Sequence, residues 1–240
     1  MNDRAEREQL QDNVGIITTV KQKVGREERE IPVYKFNDGG IDRVLKPDAG
    51  WETNVGKSAW GIDVQAWNKV KDMPEQIKYD FLSKMASNPH RESAYKVWVE
   101  KLFSKDYKNT ELEKTLTWIT PKLYTKVKPQ SPIIVIQDSQ IGHSGINKNE
   151  KQALSKNEYL QVYDIINNPD ERYEDFTYKD GKQIAFVRLI PNSKKCIKIC
   201  VRFNQKSRYK NKDYLISRVT TIGKVNYQSF KNTKDYKKIE

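Results

Sequence analysis

Residues 195–203 constrain the fold more than any other stretch. Ile197, Ile199, Val201 and Phe203 occupy one parity, and Cys196, Lys198, Cys200 and Arg202 the other. Successive strand residues point to opposite faces, so this pattern specifies a strand with one apolar and one open cationic face. Residues 183–191 differ: Ile184, Phe186 and Ile190 share a parity with Arg188, while Ala185, Val187 and Leu189 fill the other. A strand apolar on both faces belongs in the middle of a sheet, between packed layers. Residues 205–213 (QKSRYKNKD) read as a polar basic turn, residues 214–225 (YLISRVTTIGKV) as a further strand, and residues 231–240 as a frayed tail.

The same region holds the charge. The chain of 240 residues has 44 Lys and Arg against 32 Asp and Glu, a formal net charge of +12. Residues 1–180 contain 28 cations and 29 anions, residues 181–240 contain 16 and 3, so the excess lies in the last quarter. Such a concentration points to a polyanion or an acidic protein as partner. The 25 aromatic residues, 13 of them Tyr, argue for a packed core rather than a disordered chain. Ile133-Ile134-Val135-Ile136 is the longest aliphatic run, far below the ~20 residues of a membrane helix. Residues 1–11 are charged throughout and contain no apolar signal-peptide core. Membrane and secreted-precursor classes are therefore disfavoured. In an extended strand Cys196 and Cys200 stand ~13 Å apart, too far for an unstrained disulfide. With only two histidines beside them, a four-ligand zinc site is not expected. A reducing compartment is the simple reading.

Upstream, residues 132–137 read as a short buried strand, followed by a loop through Gly142-His143-Ser144-Gly145. Ser155 and Glu158 form a capping pattern, and Leu154, Tyr159, Val162, Tyr163 and Ile166 recur at helical spacing until Asn168-Pro169. Residues 172–178 are a candidate strand, with a turn signal at Asp180-Gly181. Nearer the N-terminus, residues 16–34 read as two strands around Gly25-Arg26-Glu27. Residues 38–57 read as irregular, and residues 74–88, 91–103 and 111–123 as helices. Residues 124–132, with two prolines, read as a linker. The expected fold is α+β: a mostly helical N-terminal region, residues 1–125, then a basic domain, residues 126–240, of one or two helices on an antiparallel sheet of four to five strands.

These residues permit one chemistry in particular. Metal-free RNA cleavage needs a group to take the 2′-OH proton, one to protonate the leaving 5′-oxygen, and cations on the transition state. His143 is the proton-transfer candidate, because imidazole titrates near neutral pH and this one sits in a Gly-flanked loop after a buried strand. The alternative is a loop residue bonding local backbone. His90, at a helix start, reads as structural. Lys198 and Arg202 share a face and are spaced to grip successive phosphates. Arg188 lies among apolar residues and needs an anionic partner, either structural or a phosphate. Ser217, Thr220 and Thr221 offer hydroxyls to a phosphate oxygen or serve as ordinary strand residues. Arg208, Lys210 and Arg218 extend the basic set, and Tyr209, Tyr214 and Tyr227 beside lysines and arginines read either as stacking bases or as packing on the sheet rim. No metal box, phosphate loop or nucleophile elbow is present, and no cofactor is expected.

The run IIVIQDSQIGHSG…ALSKNEYLQVYDIINNPDERYED…KQIAFVRLI…CIKICVRFN…YLISRVTTI resembles phage-associated members of the barnase–EndoU–colicin–RelE-like nuclease superfamily over about the last 110 residues. The matching positions are His143, Asn168-Pro169-Asp170, Arg188, Lys198 or Arg202, and Thr220 or Thr221. The resemblance implies an endoribonuclease acting by 2′-OH attack to a 2′,3′-cyclic phosphate. His143 would be the proton-transfer group, Arg188, Lys198 and Arg202 the phosphate-binding cations, and Thr220 a hydroxyl partner. Residues 43–61 (RVLKPDAGWETNVGKSAWG) resemble the P-x-x-G-W-x-x-N-P-G region of Mu-like phage head morphogenesis (minor head) proteins, with Val55 in place of the Pro. Two functions follow as expectations. One is a metal-independent ribonuclease or toxin, with RNA and a small acidic immunity protein as partners. The other is a non-catalytic head or minor capsid protein whose basic domain binds DNA beside other phage head proteins. The expected location is the bacterial cytoplasm or the virion.

Overall fold

The computed structural model describes residues 16–24, 27–38, 41–45, 60–87, 89–104, 113–140, 153–179, 182–209 and 211–239. Strands β1 (Ile16–Val24), β2 (Glu27–Asp38) and β3 (Ile41–Leu45) form an antiparallel sheet, with Ile16 opposite Lys35 and Tyr34 opposite Leu45. Helices α1 (Gly61–Val70), α2 (Glu75–Ala86) and α3 (Pro89–Leu102) follow. Then come β4 (Glu113–Trp118), α4 (Pro121–Val127) and β5 (Ile133–Gln137). Helices α5 (Lys156–Leu160) and α6 (Val162–Asn167) lead into β6 (Glu171–Asp175), β7 (Gln183–Leu189), β8 (Lys195–Tyr209) and β9 (Lys212–Asn226). A 3-10 turn at Tyr227–Lys231 and strand β10 (Tyr236–Ile239) complete the described chain.

The α+β class stands, but the main sheet has seven strands, not four to five, in the order β10-β6-β7-β8-β9-β5-β4. Its neighbours are antiparallel except β5 and β9, which run parallel at Ile134–Ser217 and Val135–Arg218. The central position expected for residues 183–191 is where β7 lies. Four readings are corrected. Residues 111–123 are not one helix: EKTLTW forms β4, since two β-branched Thr favour a pleated strand, and Pro121 at the first turn starts α4. The N-terminal region is accordingly mixed rather than mostly helical. Residues 205–213 are not a turn, because pairing continues from Gln205↔Ile216 to Tyr209↔Lys212. Residues 231–240 are not a tail, because β10 pairs with β6 from Tyr236↔Asp175 to Ile239↔Arg172. The expected division at residue 125 falls between β4 and β5, which are neighbours in this sheet.

Local signals fix the helices on the sheet. The Ser155 hydroxyl accepts from the Glu158 amide (3.3 Å), and the Glu158 carboxylate accepts from the Ser155 amide (2.7 Å), closing the capping box of α5. The expected helical run is interrupted at Gln161, so α5 and α6 are separate short helices. With α3 they cover one sheet face, where Ile197, Ile199, Val201 and Phe203 meet Tyr95, Val99, Tyr159 and Ile165. The opposite face has two covers. Helices α1 and α2 bring Trp60, Trp67, Phe81 and Leu82 onto Trp118, Ile133, Val135 and Ile216. The 3-10 turn brings Phe230 onto Tyr173, Ala185, Val187, Cys196 and Cys200. The second parity of β8, expected to be open, is thus largely roofed over.

Candidate nucleic-acid interface

Arg188 lies on the face covered by α6. Its Nη2 donates to Asp164 Oδ2 (2.8 Å) and to the Asn168 carbonyl (2.6 Å), and its Nη1 is 3.7 Å from Asp170 Oδ1. Asp170 in turn accepts from the Leu189 amide (2.7 Å). The Asn168-Pro169-Asp170 turn is thereby a clamp between α6 and β7, and Asp164 of α6, with Asp170 farther off, supplies the anionic partner that Arg188 requires.

Lys198 lies on the other face. Its ammonium is 2.9 Å from Asp175 Oδ2, donates to the Tyr236 hydroxyl (2.7 Å), and sits 4.7 Å from the Tyr236 ring centroid. Asp175 is fully buried and also accepts from the Thr177 amide (3.0 Å) and the Cys200 thiol (3.4 Å). Burial pulls the Lys198 ammonium downward, but Cys200, Tyr236 and Asp175 outweigh it and hold its pKa above the ordinary lysine value. Burial raises Asp175, yet its bonds to Thr177 and Lys198 leave it below the ordinary carboxylate value. Burial pushes the Cys196 and Cys200 thiols up to about 11 and about 12. The open cationic face read from residues 195–203 is therefore corrected at Lys198: Tyr236 and Phe230 close it.

Arg202, Arg218 and Thr220 do come together. Register aligns Gln183, Arg202 and Arg218 across β7, β8 and β9. The Thr220 hydroxyl is 3.2 Å from Gln183 Oε1 and 3.4 Å from the Cys200 carbonyl. Arg218 is ion-paired to Glu113, a carboxylate 8% exposed that also accepts from Trp60 Nε1 (2.9 Å), Gln137 Nε2 (3.0 Å) and the Ser207 hydroxyl (3.0 Å). Among the described residues Arg202 makes no ion pair; its guanidinium stacks 3.2 Å from the Tyr178 ring centroid. Arg208 faces Asp213 at 3.8 Å in an exposed strand pair. His143 and Lys210 lie outside the described residues, as do the side chains of Tyr209 and His90 and most of residues 43–61. The carboxylates Glu113, Asp164 and Asp175 carried no mark in the sequence, because each meets its cation only through the sheet and helix packing.

Among the described residues no cluster of three or more His, Cys, Asp or Glu side chains is placed to hold a metal. No described helix is long and apolar enough to cross a membrane. A cavity of about 470 Å³ between α2, α3, α4 and α6 is rimmed by Ser83, Glu92, Thr120 and Asn167, and neither of the aligned arginines lines it.

Over 138 residues the chain is 23% identical to the Mu-like prophage FluMu F protein of Haemophilus influenzae. That alignment takes in 52% of this chain and 32% of the relative, so the chain spans about a third of the curated protein it matches. No family model matches. No solved structure matches either. The similarity supports a phage-related origin for the chain.

Proposed function

We propose that this chain is a phage-derived protein that holds DNA without cleaving it, as a component of the phage head or of its assembly. One observation carries the reading. Of the cations in residues 181–240, Lys182, Arg188, Lys198, Arg218, Lys224 and Lys238 face carboxylates from residues before 181. Those six cations are thus engaged in pairs within the fold, whereas exposed Lys206, Lys212, Lys231, Lys234 and Lys237 supply sequence-independent attraction to phosphate. A prophage relative is consistent with a role beside packaged DNA. The test is binding of purified protein to a labelled DNA duplex across a salt series, with intact strands checked on a denaturing gel. Affinity should fall linearly on logarithmic axes by about 0.9 per phosphate contact. Salt-independent or undetectable binding, or strand cleavage, overturns the reading.

A second reading, the metal-independent endoribonuclease, is favoured by the Gln183, Arg202 and Thr220 row, in which Arg202 keeps a guanidinium without a carboxylate partner among the described residues. In this reading His143 moves the proton and Arg202 and Thr220 hold the scissile phosphate. Total RNA incubated with the protein in excess EDTA should be cut to 2′,3′-cyclic ends. His143→Ala and Arg202→Ala should each abolish cutting, and equal cleavage by wild type and both variants removes this reading.

A further inference from the structure

We infer that the outer end of the β8–β9 hairpin is a ribbon that enters the major groove of B-form DNA; this rests on the proposed DNA binding and names its contact surface. The strands are 15 residues each, but β7 accompanies β8 only as far as Gln183↔Arg202, and β5 meets β9 only at Ser217 and Arg218. Among the described residues, the two strands from Gln205↔Ile216 outward pair only with each other, to Tyr209↔Lys212. A two-stranded ribbon on its own is marginally stable, and this one is braced at its root. Ile216 is fully buried, the Tyr214 ring meets Trp60 edge-on at 5.8 Å, and the Ser207 hydroxyl donates to Glu113 at 3.0 Å. Its outer end is therefore held in place before any partner arrives, which lowers the ordering cost of binding.

Dimensions and chemistry fit one partner. Beyond the Ser207↔Tyr214 pair the ribbon continues for two paired residues in each strand, ~7 Å at strand rise. The B-DNA major groove is ~8.5 Å deep and ~12 Å wide and admits a two-stranded ribbon. Lys206, Arg208 and Lys212 are exposed along this end. Asp213 is the sole acid in residues 205–213, and its pair with Arg208 at 3.8 Å is 74% and 72% exposed, so a phosphate or guanine edge displaces it readily. Exposed Asn211, at φ 62°, sits in the reversing turn, and an Asn side-chain amide is of the kind that pairs with adenine N6 and N7. Duplex RNA is the wrong shape: its A-form major groove is too deep and narrow for such an element.

The experiment compares wild type with Lys206→Ala/Arg208→Ala/Lys212→Ala, and with Lys231→Ala/Lys234→Ala/Lys237→Ala as a control of equal charge loss elsewhere. Each protein is titrated against one sequence as a DNA duplex and as an RNA duplex, with methyl green as a major-groove competitor. The hairpin variant should lose at least about tenfold in DNA affinity and about 2–3 in salt slope, at ~0.9 per contact. Methyl green should displace wild type, RNA should bind more weakly than DNA, and the control variant should lose less than the hairpin variant. DNA binding by the hairpin variant equal to wild type, equal affinity for the RNA duplex, or indifference to methyl green overturns the ribbon while leaving DNA binding intact. Failure of wild type to bind any duplex overturns the underlying reading and the ribbon with it. The substituted side chains are exposed, so unchanged thermal midpoints are expected and identify any variant that fails to fold.

Discussion

Asp175→Asn tests whether Lys198 belongs to the core or to a ligand surface. Asp175 is fully buried and Lys198 is 12% exposed, with Tyr236 on one side and Phe230 above. Removing one partner of a buried ion pair costs about 3–5 kcal/mol, because the other charge stays buried without compensation. The slight exposure of Lys198 puts the cost toward the lower end. For a domain of this size that corresponds to a fall in thermal midpoint of about 6–20 °C, read by circular dichroism. The sign with pH follows from the two shifts. Asp175 is depressed on folding, so its contribution is complete above the unfolded carboxylate value of about 3.9 and is lost as pH falls through the folded value. Lys198 is raised, so its contribution is complete below the unfolded value of about 10.4 and is lost at still higher pH. Asp175→Asn should therefore lower stability across neutral pH and flatten the acid limb. Replacing both partners, Asp175→Asn with Lys198→Met, should recover much of the loss, since a neutral pair carries no stranded charge. Lys198→Met should also leave the salt slope of DNA binding unchanged. A loss below about 1 kcal/mol for Asp175→Asn, within the range of an exposed pair, would refute the buried-pair reasoning. A fall in salt slope for Lys198→Met would return Lys198 to the ligand surface.

Lys114 lies under α3 with its ammonium 5.4 Å from the Trp98 ring, and burial lowers its pKa to about 8. The unfolded chain then holds the extra proton between about 8 and about 10.4, so stability should rise with pH across that window. Lys114→Met should abolish the rise and stabilise the protein at pH 7, and a lysine-dependent slope that persists in the variant would contradict this. Cys196 and Cys200 are buried beneath the C-terminal segment, so a thiol reagent at pH 8 should label the native protein only at its unfolding rate and both thiols at once in denaturant. Immediate labelling of the native protein would show that the segment does not cover the sheet. Ser155→Ala removes the capping box of α5 and should cost about 1 kcal/mol in urea denaturation, with no change in the slope of the transition.

What was legible in the sequence depended on how local the deciding interaction is. The apolar parity of β8 and the capping box at Ser155 are written in consecutive residues, and both appear as read. The other parity of β8 was misread because Cys196 and Cys200 look neutral in a pattern, whereas a free cysteine packs as a small hydrophobe. Its cover, Phe230 and Tyr236, lies some thirty residues on, in a lysine-rich stretch with the composition of a tail. Composition failed there because a strand four residues long needs few apolar side chains to dock when the neighbouring edge, β6, supplies the hydrogen bonds. Residues 111–123 failed for a different reason: Trp118 and Ile119 fit a helical stripe, but adjacent residues on a strand bury opposite faces of a sheet packed on both sides.

The charge shows the same limit from the side of function. Counting by segment treats a cation and its counter-ion as neighbours only when the chain order makes them so. The sheet order sets β6 beside β7 and β4 beside β5, so Asp175 reaches Lys198 and Glu113 reaches Arg218 across 23 and 105 positions. The excess of the last quarter is partly a debt of the first three quarters, settled inside the fold. In the proposed reading, what remains for a polyanion is set by where the described sheet runs out of neighbours, at the hairpin end beyond Arg202 and at the lysines of the C-terminal edge. Exposed cations without fixed acidic partners bind phosphate at little desolvation cost, whereas extracting Arg188 or Lys198 from its carboxylates would first require breaking a buried or half-buried pair. On that ground the surface, and not the sheet interior, is the more economical place for this chain to meet nucleic acid.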